Sequence, residues 1–220
     1  MRAEFVRSQA ELPDVVSFWF KPQAGFSYQA GDYTELSLGL AGIADRRWLS
    51  LASAPFESKL QFTVKIGNPA SPFKQALQNL KKGQIVYLSP PMGNFNAPDR
   101  PDKLLFLAGG VGITPFRSLG LQEKHRPVGH DIQLLYAARA KQYLFDTELA
   151  TAGLSVTKLT SPGEILSLDT IGNIVPDFSQ RFVYLAGPEP MMSRLHEELL
   201  DNGHARWRLR LCYFPGYLAI

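Results

Sequence analysis

The sequence is poor in sulfur ligands and histidine, with one cysteine, Cys212, and four histidines in 220 residues. A single cysteine excludes an intrachain disulfide, and within these residues it also excludes a cysteine-ligated iron–sulfur cluster and a structural zinc knuckle. The same scarcity fits a reducing compartment, and cytoplasm is the expectation. Long apolar runs are missing too. No stretch approaches the roughly 20 apolar residues that cross a bilayer as a helix, and Met1-Arg2-Ala3-Glu4 lacks the apolar segment of a secretory signal. No membrane association is expected. Charge of one sign is also scarce: 23 Lys and Arg against 20 Asp and Glu leave a net +3. The basic residues fall in scattered groups (Arg46-Arg47, Lys81-Lys82, Arg206/Arg208/Arg210), not in the contiguous stripe that a nucleic-acid surface needs. His125, His130, His196 and His204 share no metal-ligand spacing, so no metal site is expected. Asp14, Glu35 and Asp45 form no recognisable acid–base pair.

What is present reads as a globular chain in two parts. Apolar residues make up 45% and charged residues 20%, enough for one large core or two small ones. Up to about residue 98 the pattern is of short apolar or alternating runs: Ala3–Arg7, Val15–Lys21, Tyr33–Leu38, Trp48–Ala52, Gln61–Ile66 and Ile85–Ser89. Turn residues divide them (Pro22, Gly25, Gly31-Asp32, Pro90-Pro91), which predicts an antiparallel β-barrel or sandwich. One helix interrupts the series, with Phe73, Ala76, Leu77 and Leu80 on one face and Gly83 beyond its end. After the proline-rich segment Asn96–Asp102, strands and helices alternate. Strands are expected at Lys103–Ala108, Ile132–Ala137, Phe182–Ala186 and Leu209–Tyr213, and helices at Thr114–Glu123, Tyr143–Ala150 and Glu189–Leu200. Buried strands separated by helices predict a doubly wound parallel sheet. The fold class expected is β plus α/β, with units 1–98 and 99–220.

Two segments carry the chemistry. Ala108-Gly-Gly-Val-Gly-Ile-Thr-Pro-Phe116 follows a buried strand and opens a helix. Glycines there let the backbone approach a phosphate, and a helix N-terminus offers free N–H donors. A tight strand-to-helix turn would use the same residues. Pro115 stands where the dinucleotide fingerprint would have its third glycine. In Arg47-Trp-Leu-Ser-Leu-Ala-Ser53 a forked cation precedes two hydroxyls, a set suited to a phosphate. An ordinary edge strand remains the other reading.

Together these segments resemble the ferredoxin–NADP reductase superfamily, whose flavin strand reads arginine, any, tyrosine, serine and whose nucleotide loop reads Gly-Gly-x-Gly-Ile-Thr-Pro. Further segments are similar in the same order: Phe26–Tyr33, Gly67-Asn-Pro-Ala-Ser71 before the Phe73 helix, Gly83 through Phe95, Tyr136-Ala-Ala-Arg139, Ala186-Gly-Pro-Glu-Pro-Met-Met192 and Phe214-Pro-Gly-Tyr217. The resemblance covers nearly the whole chain. It implies a barrel that binds flavin (1–98) and an α/β unit that binds NAD(P)H (99–220). It also implies an oxidoreductase that takes hydride from NADPH or NADH and passes electrons to a separate acceptor such as ferredoxin or flavodoxin. Reduction of free flavin or a ferric complex, and an electron-transfer or regulatory subunit active only in a complex, stay open.

The resemblance assigns roles by position. Arg47 holds flavin phosphate, with Leu49, Ser50 and Ser53 beside the flavin and Ser50 near its reactive N5. Val64, Lys65 and Ile66 run along it, and Gly67 to Ser71 hold its phosphates. FAD is expected over FMN because the Gly67–Ser71 turn has room for a second phosphate. Gly110, Gly112, Ile113 and Thr114 line the nicotinamide-nucleotide site. Gly187, Pro188 and Met191 flank the nicotinamide ribose, and Phe214 or Tyr217 covers the flavin face. Arg139 and Lys141 after the second strand favour a 2′-phosphate and hence NADPH. Three positions depart from the family: Leu49 replaces the stacking tyrosine, Ala186 replaces a cysteine, and Cys212 stands where a carboxylate is usual. Ser50 and Cys212 are the candidates for proton handling at the reactive atom.

Overall fold

The structure is a computed structural model that describes residues 1–40, 45–139, 141–161 and 166–212. The first half holds strands β1 (Arg2–Leu12), β2 (Val15–Pro22), β3 (Tyr33–Ser37), β4 (Arg46–Ser50), β5 (Leu60–Lys65) and β6 (Ile85–Leu88), with helix α1 (Pro72–Gln78) between β5 and β6. They form one antiparallel sheet in the order β4-β3-β6-β1-β2-β5. A single apolar cluster takes Leu60, Phe62 and Val64 from β5 at one edge and Leu49 from β4 at the other. The sheet therefore wraps around its own core, which is the expected barrel architecture. Phe73 and Leu77 of α1 complete that core.

The second half holds β7 (Lys103–Gly109), α2 (Thr114–His125), β8 (Asp131–Arg139), α3 (Asp146–Thr151), β9 (Ser155–Ser161), α4 (Leu168–Ile174), β10 (Phe182–Ala186), α5 (Glu189–Asp201) and β11 (Leu209–Cys212). Its five strands are parallel, in the order β11-β10-β7-β8-β9. Successive side chains of a strand point to opposite faces, and the two faces have separate cores. Leu104, Phe106, Ala108, Phe182 and Tyr184 pack with Phe116, Leu119 and Leu149 of α2 and α3. Leu105, Leu107, Val183 and Leu185 pack with Ile171, Leu195 and Leu199 of α4 and α5. Helices cover both faces, as a doubly wound sheet requires. Among the described residues, no helix is long and apolar enough to cross a membrane.

The chain enters this sheet at its centre, runs through β8 and β9 to one edge, and returns to β10 on the other side of β7. The C-terminal ends of β7 and β10 thus flank the point where the winding reverses, where open α/β sheets bind ligands. The two halves are welded together. Val15, Ala30 and Phe95 of the first half lie in the α2-side core of the second. Phe95 packs on Phe116 at 5.4 Å and edge-on to Tyr184 at 5.1 Å. Tyr184 Oη donates to the Asn96 carbonyl at 2.9 Å.

Candidate active site

A cleft of about 850 Å³ runs along the seam of the two halves. Leu49 and Ser50 of β4, Val64 and Lys65 of β5, and Leu12, Asp14 and Val15 of the β1–β2 hairpin line its first wall. The second wall is made of the C-terminal ends of four parallel strands: Gly109 of β7 with Gly110–Gly112 after it, Ala137–Arg139 of β8, Ala186 of β10 with Gly187 and Pro188 after it, and Cys212 of β11.

Cations gather on the first wall. Lys65 and Lys74 line the cleft. Burial, and then the nearby charges of Arg47 and Lys65, hold the Lys74 amine below its ordinary pKa. Arg47 lies 5.3 Å from the centroid of the Phe73 ring and donates from Nη1 to the Arg46 carbonyl at 2.6 Å. It does not line the cleft itself. Lys65 also pairs with Asp14 at 3.1 Å. Three like charges held this close have electrostatic reason to accept an anion. Ser71 lies at the N-terminus of α1, and its hydroxyl is buried with no hydrogen-bond partner. A buried hydroxyl without a partner is costly, and a ligand oxygen would satisfy it.

The second wall is built by backbone contact. A Cβ on Gly112 would stand 2.3 Å from the Ala186 carbonyl oxygen and 2.5 Å from the Gly187 nitrogen. One on Gly187 would meet Met191 Cε at 2.6 Å and Gly109 Cα at 3.0 Å, and one on Gly109 would meet Met191 Sδ at 2.7 Å. These three glycines let the loops after β7 and β10 touch, with Met191 and Pro188 closing over them. Gly110 is different. It has φ +53° with open space where a Cβ would go, and its carbonyl accepts from Tyr136 Oη at 3.0 Å. The glycine-rich loop is therefore first a packing device, and Gly110 alone owes its identity to backbone conformation.

Ser50 and Cys212 meet where the walls join, Oγ to Sγ at 3.2 Å. Burial pushes the Cys212 thiol up to about 11, against a smaller downward pull from Ser50. The thiol therefore keeps its proton at neutral pH. Ala186 is the register partner of Cys212 on the neighbouring strand. The thiol at 212 thus lies beside the position where the family carries its cysteine.

Of the residues singled out in the sequence, the cleft gathers Leu49, Ser50, Val64, Lys65, Gly110, Gly112, Thr114, Arg139, Gly187, Pro188, Met191 and Cys212. Several fall elsewhere. Ser53 has no exposure; its Oγ accepts from Gln61 N at 3.0 Å and Tyr28 Oη at 2.8 Å, and its carbonyl accepts from Ser118 Oγ. It fixes the loop after β4, and with both acceptor sites of its hydroxyl filled it lies outside the cleft lining. Ile113, expected in the nucleotide site, is fully buried in the α2-side core because the turn after Gly112 points it inward. Ile66 packs on the barrel core, and Gly67 is off the cleft. Lys141 is exposed with φ +58°, its turn carrying it away from the cleft that Arg139 lines. Phe214 and Tyr217 lie outside the described residues. Sequence reasoning missed Lys74, Gln142, Arg194 and the β1–β2 hairpin. Lys74 had a signal, being the basic residue in the first turn of the helix after the Gly67–Ser71 segment. The hairpin had none, since only tertiary packing brings Leu12 and Asp14 to the second half.

No family model matches the chain. It is 32% identical over 230 residues to an NADPH oxidoreductase of Mycobacterium tuberculosis, covering 96% of this chain and 59% of that protein. It is 30% identical over 215 residues to a glycine betaine monooxygenase reductase subunit of Pseudomonas aeruginosa, covering 88% of this chain and 58% of the relative. The chain thus spans somewhat more than half the length of these curated relatives. Among solved structures, the ferredoxin reductase in carbazole 1,9a-dioxygenase superposes with a TM-score of 0.81 at 19% identity, covering 96% of this chain and 68% of its own. The FAD/NAD-binding domain of nitric oxide dioxygenase from Vibrio cholerae superposes at 0.76 with 23% identity, covering 97% and 98%. Fold and cleft define a two-part protein of the ferredoxin reductase-like class. Its curated relatives and structural neighbours are ferredoxin reductase-like oxidoreductases.

Proposed function

We propose that this chain is a flavin-dependent oxidoreductase that takes a hydride from NAD(P)H and passes electrons to a separate acceptor such as ferredoxin or flavodoxin. The observation that carries the reading is the cleft itself, where a cationic wall on the barrel faces the ends of a doubly wound sheet with Ser50 and Cys212 at the join. The residues present suit FAD. Arg47, Lys65 and Lys74 supply charge for its phosphates, the unpartnered Ser71 hydroxyl supplies a hydrogen bond, and Leu49, Ser50 and Val64 offer a surface for its ring. Bound flavin would supply two-electron acceptance and single-electron release. The chain's own part is to orient and to handle protons. Gly110, Gly112, Thr114, Gly187, Pro188 and Met191 position the hydride donor on the second wall. Ser50 Oγ, bonded to a thiol that stays protonated, holds a proton at the reacting edge.

On this reading the flavin unit is residues 1–98 and the nucleotide unit 99–220, although Phe95 and Asn96 already pack into the second. Cytoplasm is the proposed compartment, supported by the single cysteine. The test is to load the purified protein with FAD or FMN, measure retention on gel filtration, and follow NADPH oxidation with ferredoxin, flavodoxin or free flavin added. FAD retention with faster turnover on a protein acceptor is expected. Failure to retain either flavin would overturn the proposal.

A further inference from the structure

Arg117, on the first turns of α2, is a buried charge that the cleft does not use. It is 4% exposed and is not among the lining residues. A guanidinium has five N–H groups, and here all are satisfied. Nε donates to Glu148 Oε2 at 2.8 Å, and Nη2 to Glu148 Oε1 at 2.8 Å and Glu57 Oε1 at 3.1 Å. Nη1 donates to Glu57 Oε2 and to the Ala52 carbonyl, each at 2.8 Å. Burial works against the charge, but the hydrogen bonds it donates to Glu148 and Glu57 outweigh it and leave the guanidinium pKa above its ordinary value.

The acceptors lie off the cleft, on chain segments that run on from both of its walls. Ala52 and Glu57 belong to the loop that continues β4 directly after Leu49 and Ser50. That loop is fixed further by Ser118 Oγ donating to the Ser53 carbonyl at 2.7 Å, Ala54 N donating to Glu57 Oε2 at 2.7 Å, and His125 stacking on Phe56 at 4.0 Å. Glu148 lies on α3, just after Gln142 and Leu144 of the opposite wall. Leu144 N donates to Tyr136 Oη, which in turn donates to the Gly110 carbonyl. One side chain thus connects the flavin strand, α2 and the segment that borders the nucleotide loop. Buried ion networks are often no more stabilising than apolar packing of equal volume. Two forked carboxylate pairs on one guanidinium do something that apolar contact cannot: they fix orientation.

We infer that Arg117, with Glu57 and Glu148, is a positioning clamp that sets the spacing between the Leu49–Ser50 wall and the Gln142–Leu144 wall, and with it the distance over which hydride passes. The inference rests on the proposed function for its consequence but not for its geometry, so two readouts are used on the full chain. The first is hydrogen–deuterium exchange without any nucleotide added. Glu57→Gln alters only the flavin-side loop, yet exchange over residues 142–146 on the other wall is expected to rise, and Glu148→Gln is expected to raise exchange over 52–57. Changes confined to the mutated side would overturn the clamp, whether or not the protein turns over. The second is stopped-flow reduction of bound FAD at saturating NADPH. Each Gln variant is expected to lose roughly tenfold in rate, because small misplacements of reacting groups are costly. Flavin retention should be unchanged, and the double variant should fall short of the product of the two singles. Glu57 and Glu148 are both partly exposed, at 29% and 44%, so these variants keep the fold within reach. Arg117→Lys keeps the charge without the fork and is expected to be as slow as the Gln variants. A parent-like saturating rate in both Gln variants, with only a lower melting temperature, would show a purely structural role.

Discussion

The two walls of the cleft are made by opposite means. The barrel wall presents side-chain chemistry, with Lys65 and Lys74 lining the cleft and, off the lining, the Arg47 charge near Lys74 and a buried Ser71 hydroxyl with no partner. The sheet wall is shaped by backbone at its centre, with Thr114, Arg139, Met191 and Cys212 around it. Gly109, Gly112 and Gly187 are there so that two loops can pack backbone to backbone under Met191. A charged wall holds its ligand by energy that falls off gradually with substitution, whereas a wall made by backbone contact has shape as its main asset. Substitution should therefore grade the first wall and break the second.

The largest effect is expected from Gly112→Ala. Its Cβ would sit 2.3 Å from a backbone carbonyl with no flexible side chain to give way. Overpacking of this kind costs about 1–3 kcal/mol or more. A clear fall in melting temperature and loss of nucleotide-dependent reduction should follow. Gly110→Ala sharpens the contrast, for it meets nothing within 4 Å and is strained only by φ +53°, costing about 1–2 kcal/mol. Equal damage at both positions, read by thermal melting, would remove the packing account of the loop. Next come Arg47→Ala and Lys74→Ala on the charged wall. Each should weaken flavin retention by about 1.5–3 kcal/mol without lowering the melting temperature of the flavin-free protein, as equilibrium titration with FAD would show. Lys74→Ala with unchanged FAD affinity would place the phosphates elsewhere.

Smaller still is the effect expected at Arg139, the one of the two predicted specificity cations that reaches the cleft. Arg139→Ala should reduce the ratio of kcat/KM for NADPH over NADH severalfold, while Lys141→Ala leaves it alone; the reverse pattern would reassign the 2′-phosphate contact. The slightest perturbation uses Cys212. Burial raises its pKa to about 11, so alkylation by iodoacetamide should be slow at pH 8 and should climb about tenfold per pH unit toward that value. A rate that levels off near pH 8.5 would mean an ordinary exposed thiol.

The contrast between the walls also marks what the sequence could and could not disclose. Alternating strands and apolar strands differ in period and composition, so both sheets were legible: β10 was expected at Phe182–Ala186 and is found there, and β2, β5 and β7 differ by a residue or so at their ends. Helix α3 begins at Asp146 and not at Tyr143, because Phe145 takes a left-handed conformation that no local pattern announced. Strand β9 and helix α4 went unseen. Ser155-Val-Thr-Lys-Leu-Thr-Ser161 is a polar edge strand, and Leu168-Asp-Thr-Ile-Gly-Asn-Ile174 combines glycine with β-branched residues that disfavour helix. At the cleft, motif residues were found because they sit next to strand ends. Lys74, the β1–β2 hairpin and the Arg117 clamp depend on contacts between segments far apart in sequence, which composition and spacing do not encode. Ser53 and Ile113 show the converse: motif members with a place in the pattern but a structural occupation.

The central claim is that both walls serve one reaction, hydride passing from a nucleotide on the glycine-built wall to a flavin on the charged wall. Anaerobic mixing of the FAD-loaded protein with one equivalent of NADPH, followed by visible absorbance, tests this most directly. The account predicts that the flavin absorbance bleaches in a single turnover and that Gly112→Ala abolishes bleaching even when its flavin is retained. A parent protein that holds FAD yet keeps its full absorbance in excess NADPH and NADH would contradict it.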